Sequence, residues 1–185
     1  MKKAELRFTG SGGQGVIMAT IILAEAAYAD KLQAVQSQSY GPEARGGLCK
    51  AECIIDEKPI SYTKVILPNL LLSLTQASLD KYVGSLQKDA VVLVDSGLTV
   101  PEDVKAKHTV ISLPILDSAV EVIHNPMAAN IISVGAVNAI MQLASEASLE
   151  EAVLNHIPKG TEEKNIQALH LGAQMAKEAL QEQTA

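Results

Sequence analysis

The residues with the clearest chemical meaning are glycines. Residues 9–15 read TGSGGQG, directly after the strand-like run ELRF. The spacing Gly10-x-Gly12-x-x-Gly15, with Gly13 as an extra and Gln14 between, is that of a dinucleotide-binding turn. Glycine lets backbone N–H groups turn inward and lets a ligand come close. A helix opening at Gly15 would add the partial positive charge of its N-terminus, so an anion is the natural guest. The rest of the dinucleotide fingerprint is missing. An acid should end the second strand and hold the ribose, yet that end reads Gln36, Ser37, Gln38, Ser39, and Asp30 precedes the strand instead of ending it. A Walker loop is excluded because no Gly-Lys-Ser/Thr follows. The bland alternative is a tight strand-to-helix turn that holds nothing.

The second unusual stretch is SYGPEARGG at 39–47. After Tyr40, Glu43 and Arg45 stand between Pro42 and the pair Gly46-Gly47, in a loop expected at the same strand ends as the first. A charged pair held by proline and glycines suits a fixed contact with a partner or ligand, where a lone charged loop would otherwise read as a solvated turn. Other chemistries find few residues. His108, His124, His156 and His170 are scattered along the chain, which favours surface or core roles over ligation. No nucleophile–base arrangement is legible. Cys49 and Cys53 on one strand would lie roughly 13 Å apart along it, beyond the ~7 Å that a disulfide tolerates. Two cysteines also fall short of a four-cysteine iron–sulfur site. They read as reduced thiols.

These loops need elements to position them. Glu5–Thr9 reads as a first strand, and residues 15–29 as a largely buried helix interrupted only by Thr20, Glu25 and Tyr28. Strand, glycine loop and helix form the opening half of a βαβ unit. A weak strand is expected over 32–39 and a half-exposed one over 48–55, with Leu48, Lys50 and Glu52 on one side and Cys49, Ala51 and Cys53 on the other. A turn at Pro59 then suggests a short partner strand at Ile60–Tyr62, so this middle section reads as an inserted hairpin. Dense apolar runs at 70–74 and 90–96 suit central parallel strands, a helix lies between them over 76–86, and 109–114 supplies a further strand. Residues 127–144 form a long apolar helix broken by Asn130, Ser133, Gly135 and Asn138, a buried core helix and not a membrane span. Helices over about 148–156 and 161–183 finish the chain. The expected fold is α/β, a single Rossmann-like layered domain over residues 1–185 with a mostly parallel sheet, helices on both faces and an inserted β-hairpin.

Composition agrees. A chain of 185 residues can bury one sizeable core without staples. At 48% hydrophobic and 19% charged it is not a disordered sequence. One Phe and no Trp leave the core to Ala, Val, Ile and Leu. The net charge of -6 argues against a nucleic-acid partner. MKKAELRF is not followed by an apolar segment before Gly10, so it does not read as a signal peptide, and a cytoplasmic protein is expected.

Taken together, GSGGQG and SYGPEARGG resemble the gamma subunit of 2-oxoacid:ferredoxin oxidoreductases, and the 2-oxoglutarate (2-oxoglutarate synthase) branch most of all. HNPMAANIISVGAVNAI at 124–140 and IPKGTEEKNIQAL at 157–169 resemble the same family's later segments, so the similarity spans nearly the whole chain. The resemblance implies a subunit, inactive alone, of a complex converting a 2-oxoacid and coenzyme A to an acyl-CoA and carbon dioxide, with electrons passed to ferredoxin. It implies no cofactor in this chain, with thiamine diphosphate, iron–sulfur clusters and magnesium in partner subunits. Those partners would be alpha and beta subunits, with a delta subunit as a further candidate. It also implies that Gly10, Gly12, Gly13, Gln14, Gly15, Tyr40, Glu43, Arg45, Gly46 and Gly47 shape contact loops at a subunit boundary or beside coenzyme A. The rival readings are a stand-alone NAD-dependent enzyme and a stand-alone nucleotide- or CoA-binding Rossmann-like protein.

Overall fold

A computed structural model describes residues 3–40 and 47–184. The chain runs β1 (Ala4–Ser11), α1 (Val16–Ala29), β2 (Gln33–Tyr40), β3 (Leu48–Asp56), β4 (Leu70–Ser73), α2 (Gln76–Tyr82), β5 (Val91–Asp95), α3 (Glu102–Lys105), β6 (Thr109–Leu113), α4 (Ile115–Glu121), a 3-10 turn (Pro126–Ala128), α5 (Ala129–Met141), α6 (Glu146–His156) and α7 (Glu162–Thr184). The six strands form one sheet in the order β2-β3-β1-β4-β5-β6. β1, β4, β5 and β6 run parallel, and β3 is antiparallel to both its neighbours. The opening β1–α1–β2 unit is therefore split, with β3 inserted between its two strands.

The expected hairpin exists, but its arms are β2 and β3. Ile60–Tyr62 is not a strand. The reason is the lack of a free edge: β3 is hydrogen-bonded along its length to β1 on one side and β2 on the other. Two short helices, α3 and α4, escaped the sequence reading because each is too brief to show a helical period. The helix expected over 127–144 is shorter. It begins with the 3-10 turn and stops at Gln142, where the Asn138 side chain accepts from Leu143 N–H and Ala144 N–H and donates to Ala144 O.

Alternation along the strands divides the apolar residues between two faces. Leu6, Phe8, Leu70, Leu72, Leu93 and Ile111 join α1 and α4–α7 in the larger core. Leu71, Val92 and Val94 face the other way, against Leu79 of α2 and Val104 of α3. Helices thus cover both faces, and aliphatic side chains do nearly all the filling, as an aromatic-poor sequence requires. Among the described residues no helix is long and apolar enough to cross a membrane.

Two features fix the frame. Gly135 of α5 and Gly172 of α7 lie where the helices cross at backbone contact. A Cβ on Gly135 would strike the Leu169 carbonyl, and one on Gly172 would strike the Ile132 carbonyl. The second feature is the pair Arg7–Glu52, directly opposite across β1 and β3. Glu52, expected on an exposed face, is buried, because Arg7 Nε donates to its Oε1 at 2.7 Å and Lys50 Nζ lies at 3.1 Å. Arg7 also donates to Val65 O at 3.1 Å, tying the irregular stretch after β3 to the sheet.

Two outcomes follow for stability, both read by chemical denaturation. Gly172→Ala is expected to destabilise by about 1–3 kcal/mol, the cost of overpacking where backbone must shift. Arg7→Leu, which strands Glu52 with only Lys50, is expected to cost about 3–5 kcal/mol, with Arg7→Leu/Glu52→Leu recovering much of it.

Candidate functional site

The glycine loop leaves β1 at Ser11 and enters α1 at Val16, with Gly13 at φ 99° and Gly15 at φ 72°. These left-handed conformations are what glycine permits cheaply. The loop is tied to itself and to its neighbour. Ser11 N–H donates to Gln14 Oε1 at 2.7 Å, and Gln14 N–H donates back to Ser11 O at 3.2 Å. Gly12 N–H donates to Gly47 O at 3.0 Å. The two loops singled out in the sequence therefore meet at Gly12 and Gly47. Three amides that an anion cradle would need are already engaged by the protein. What stays open is the first turn of α1, because Gly15 brings no side-chain cap. Tyr40 ends β2 opposite Cys49, whereas Glu43, Arg45 and Gly46 lie outside the described residues.

Beside Gly15 lies a cleft of about 420 Å³. Its walls come from three separate segments: Gly15 and Met18 at the start of α1, Asn125 to Ile131 entering α5, and His156 to Asn165 from the end of α6 into α7. Three of the four stretches that carried the family resemblance thus converge on one place. Their side chains are held locally. Asn125 Oδ1 accepts from Met127 N–H, capping the 3-10 turn. The Asn165 amide, itself buried, donates to Thr161 O at 2.9 Å, and Thr161 Oγ1 donates to Pro158 O. Asn130 packs directly on Gly15, and a Cβ there would come within 2.9 Å of Asn130 Cγ. His156 Nε2 lies 2.6 Å from Glu25 Oε2, while Asn155 donates to Glu25 Oε1 at 2.8 Å. The Asn155 hydrogen bond, then those from His156, hold the Glu25 carboxyl below its ordinary range against the opposing effect of burial. The cleft is thus lined by amides, a hydroxyl and an imidazole, with Met18, Met127, Ile131, Ile157 and Pro158 as its apolar part.

Asn125, Asn130, His156, Thr161 and Asn165 were not named as site residues from the sequence. The available signal was that Asn125, Asn130, Thr161 and Asn165 lay inside family-like segments and His156 directly before one. Their convergence depends on the α5–α7 packing, which no single segment shows.

Asp30, the acid at the wrong place for a ribose, has a different task. Its carboxylate accepts from Ser145 N–H, Ser145 Oγ and Ser148 Oγ at the start of α6. The acid therefore staples the end of α1 to the N-terminus of α6, and is not offered to a nucleotide. Within β2, Gln36 donates to Thr20 of α1 at 3.2 Å, so that side chain too is spent within the fold. Cys49 and Cys53 are free thiols inside the larger core. Burial pushes both thiols up, Cys53 to about 12, and a thiol that resists ionisation is a poor ligand. They do not fit an iron–sulfur cluster.

Fold and cleft together define a Rossmann-like α/β chain whose nucleotide fingerprint has been turned to structural use. The chain belongs to the pyruvate ferredoxin/flavodoxin oxidoreductase family, whose profile matches residues 5–175. It is 43% identical to 2-oxoglutarate synthase subunit KorC of Methanocaldococcus jannaschii, over 95% of this chain and 95% of that one. Among solved structures it is similar to the gamma subunit of a keto/oxoacid ferredoxin oxidoreductase from Geobacter sulfurreducens, with a TM-score of 0.86, 38% identity, and 97% and 99% of the two chains covered. It also shares its fold with 2-oxoglutarate:ferredoxin oxidoreductase from Magnetococcus marinus, at TM-score 0.87 and 17% identity. There the matched part covers 32% of a longer chain, in a structure with 2-oxoglutarate, coenzyme A and succinyl-CoA bound.

Two measurements check this geometry. Gly15→Ala should lose about 1–3 kcal/mol through its positive φ and the Asn130 contact, and Gly15→Ala/Asn130→Ala should regain only the part from the Asn130 amide, since its Cβ stays 2.9 Å away. For Asp30, the Ser145 N–H first and the Ser148 hydroxyl second hold the carboxyl below the ordinary 3.8. A carboxyl lowered on folding stabilises above its unfolded value and loses that stability as pH falls through its folded value. Asp30→Asn should therefore be less stable at neutral pH, with a flatter decline in stability below about pH 4 in acid titrations followed by circular dichroism.

Proposed function

We propose that this chain is the gamma subunit of a 2-oxoglutarate:ferredoxin oxidoreductase. Such a complex converts 2-oxoglutarate and coenzyme A to succinyl-CoA and carbon dioxide, with electrons passing to ferredoxin. The observation that carries this reading is the near-full-length likeness to KorC, strengthened by the match of the whole fold to a gamma subunit. In this reading residues 1–185 act as one domain in the cytoplasm. Alpha and beta subunits, with delta as a further partner, hold the thiamine diphosphate, magnesium and iron–sulfur clusters. The buried, high-pKa cysteines support that division of labour.

The contact loops take a specific part. Gly10, Gly12, Gly13, Gln14 and Gly15, joined to Gly47 and followed by the cleft, form a rigid edge against a partner subunit or beside the path of coenzyme A. Tyr40, Glu43, Arg45 and Gly46 belong to the adjoining loop, with Glu43 and Arg45 as its ion-pairing elements. A stand-alone NAD enzyme is disfavoured, since Asp30 is engaged by α6 and three loop amides are occupied.

Reconstitution tests the reading. This chain should co-purify with a thiamine-diphosphate-binding partner, and the assembled complex should reduce ferredoxin only with both 2-oxoglutarate and coenzyme A. Full activity without this chain, or a preference for pyruvate, would contradict it. Arg45→Ala should weaken assembly or raise the coenzyme A requirement; unchanged assembly and kinetics would remove the loop from the account.

A further inference from the structure

Outside the cleft, the described residues bring one group of metal-ligating side chains to a common point. Glu146 and Glu150 lie one turn apart on α6, and His170 reaches them from α7, with one ligand atom from each within 4.8 Å of the others. His170 Nε2 is 2.7 Å from Glu150 Oε1 and 3.4 Å from Glu146 Oε1. In the sequence His170 stands 20 residues beyond Glu150, so nothing there marked the three as a set.

We propose that Glu146, Glu150 and His170 form a binding site for a divalent transition cation of the zinc type, clamping α6 to α7. One imidazole nitrogen carries one proton and can donate it to only one carboxylate at a time. Two carboxylates converge on that nitrogen, and a single cation can bond to all three groups at once. The spacing suits this. Nitrogen and oxygen ligands at about 2.0–2.2 Å from zinc stand roughly 3.4 Å apart at tetrahedral angles; the Glu146–His170 separation of 3.4 Å already matches, and the 2.7 Å His170–Glu150 hydrogen bond would open by less than about 1 Å on metal entry. The i, i+4 placement on α6 puts both carboxylates on one helix face. The fourth position opens into a surface groove of about 390 Å³ lined by Glu146, His170, Gln174, Lys177 and Glu178, where water can complete the coordination. Lys177 lines the same groove and partly offsets the negative charge of the two glutamates without supplying a ligand. One imidazole among the donors favours zinc, cobalt or nickel over magnesium and calcium, which prefer oxygen throughout.

The test uses the full, untagged chain freed of metal by chelation. Titration with zinc chloride in a calorimeter should give one saturable site per chain, and cobalt(II) should develop the visible d–d absorption of a low-coordinate site. The thermal midpoint should rise with zinc. His170→Gln should weaken binding by more than about 100-fold, because even outer-shell partners are worth about 10- to 100-fold. Glu146→Gln and Glu150→Gln should each weaken it by at least about tenfold. Glu146 and His170 are exposed and Glu150 half-buried, so the metal-free variants should keep the wild-type circular dichroism. His124→Gln, an exposed histidine elsewhere, should bind as the wild type does. Absence of saturable binding by the wild type would overturn the proposal, as would wild-type affinity in His170→Gln.

Discussion

The arrangement of the cleft depends on one close approach, the crossing of α5 and α7 at Gly135 and Gly172. Each glycine sits against a backbone carbonyl of the facing helix, so neither position has room for a methyl group. That contact fixes the start of α5, with Asn125 and Asn130, relative to Thr161 and Asn165 at the start of α7. Asn130 then fills the space left by the absent side chain of Gly15. Small residues on two buried helices thereby set the geometry of polar residues at the surface. A core assembled almost entirely from aliphatic side chains allows such an approach, because it needs no large ring between the helices.

A second constraint acts through the sheet. Insertion of β3 between β1 and β2 places Gly47, just ahead of β3, beside Gly12 at the end of β1. In a dinucleotide-binding fold the glycine turn faces a ligand, with an acid at the second strand to hold it. Here the turn's amides bond to Gln14, Ser11 and Gly47, and the nearby acid caps α6. That local chemistry fixes the protein's own loops. A rigid edge suits a subunit whose task is to present a surface, since ordering costs are met before association.

Much of this was legible in the residues. The strands at 70–74, 90–96 and 109–114 are dense apolar runs, and the helix after Gly15 is apolar all round, so their placement followed from pattern. The failed fingerprint at Gln36–Ser39 argued against a dinucleotide, and the structure gives the one nearby acid, Asp30, partners on α6. The hairpin was displaced because alternation at Ile60–Tyr62 cannot report that both edges of β3 are occupied. Glu52 was read as exposed because alternation does not show Arg7 waiting across the ladder. The cleft was invisible as a unit: its α1 wall lies more than a hundred residues before the other two, which the helix crossing brings together. Asn130, Gly135 and Asn138 looked like interruptions of one helix, yet they serve as a cleft wall, a crossing point and a C-terminal cap.

The central claim is that the glycine-loop edge and its cleft form the working face of a subunit within a larger oxidoreductase. Hydrogen–deuterium exchange on this chain, alone and assembled with its thiamine-dependent partner, tests it most directly. The account predicts that protection gained on assembly concentrates in residues 10–18, 125–131 and 156–165. Unchanged exchange in those three segments, with protection appearing elsewhere, would contradict it.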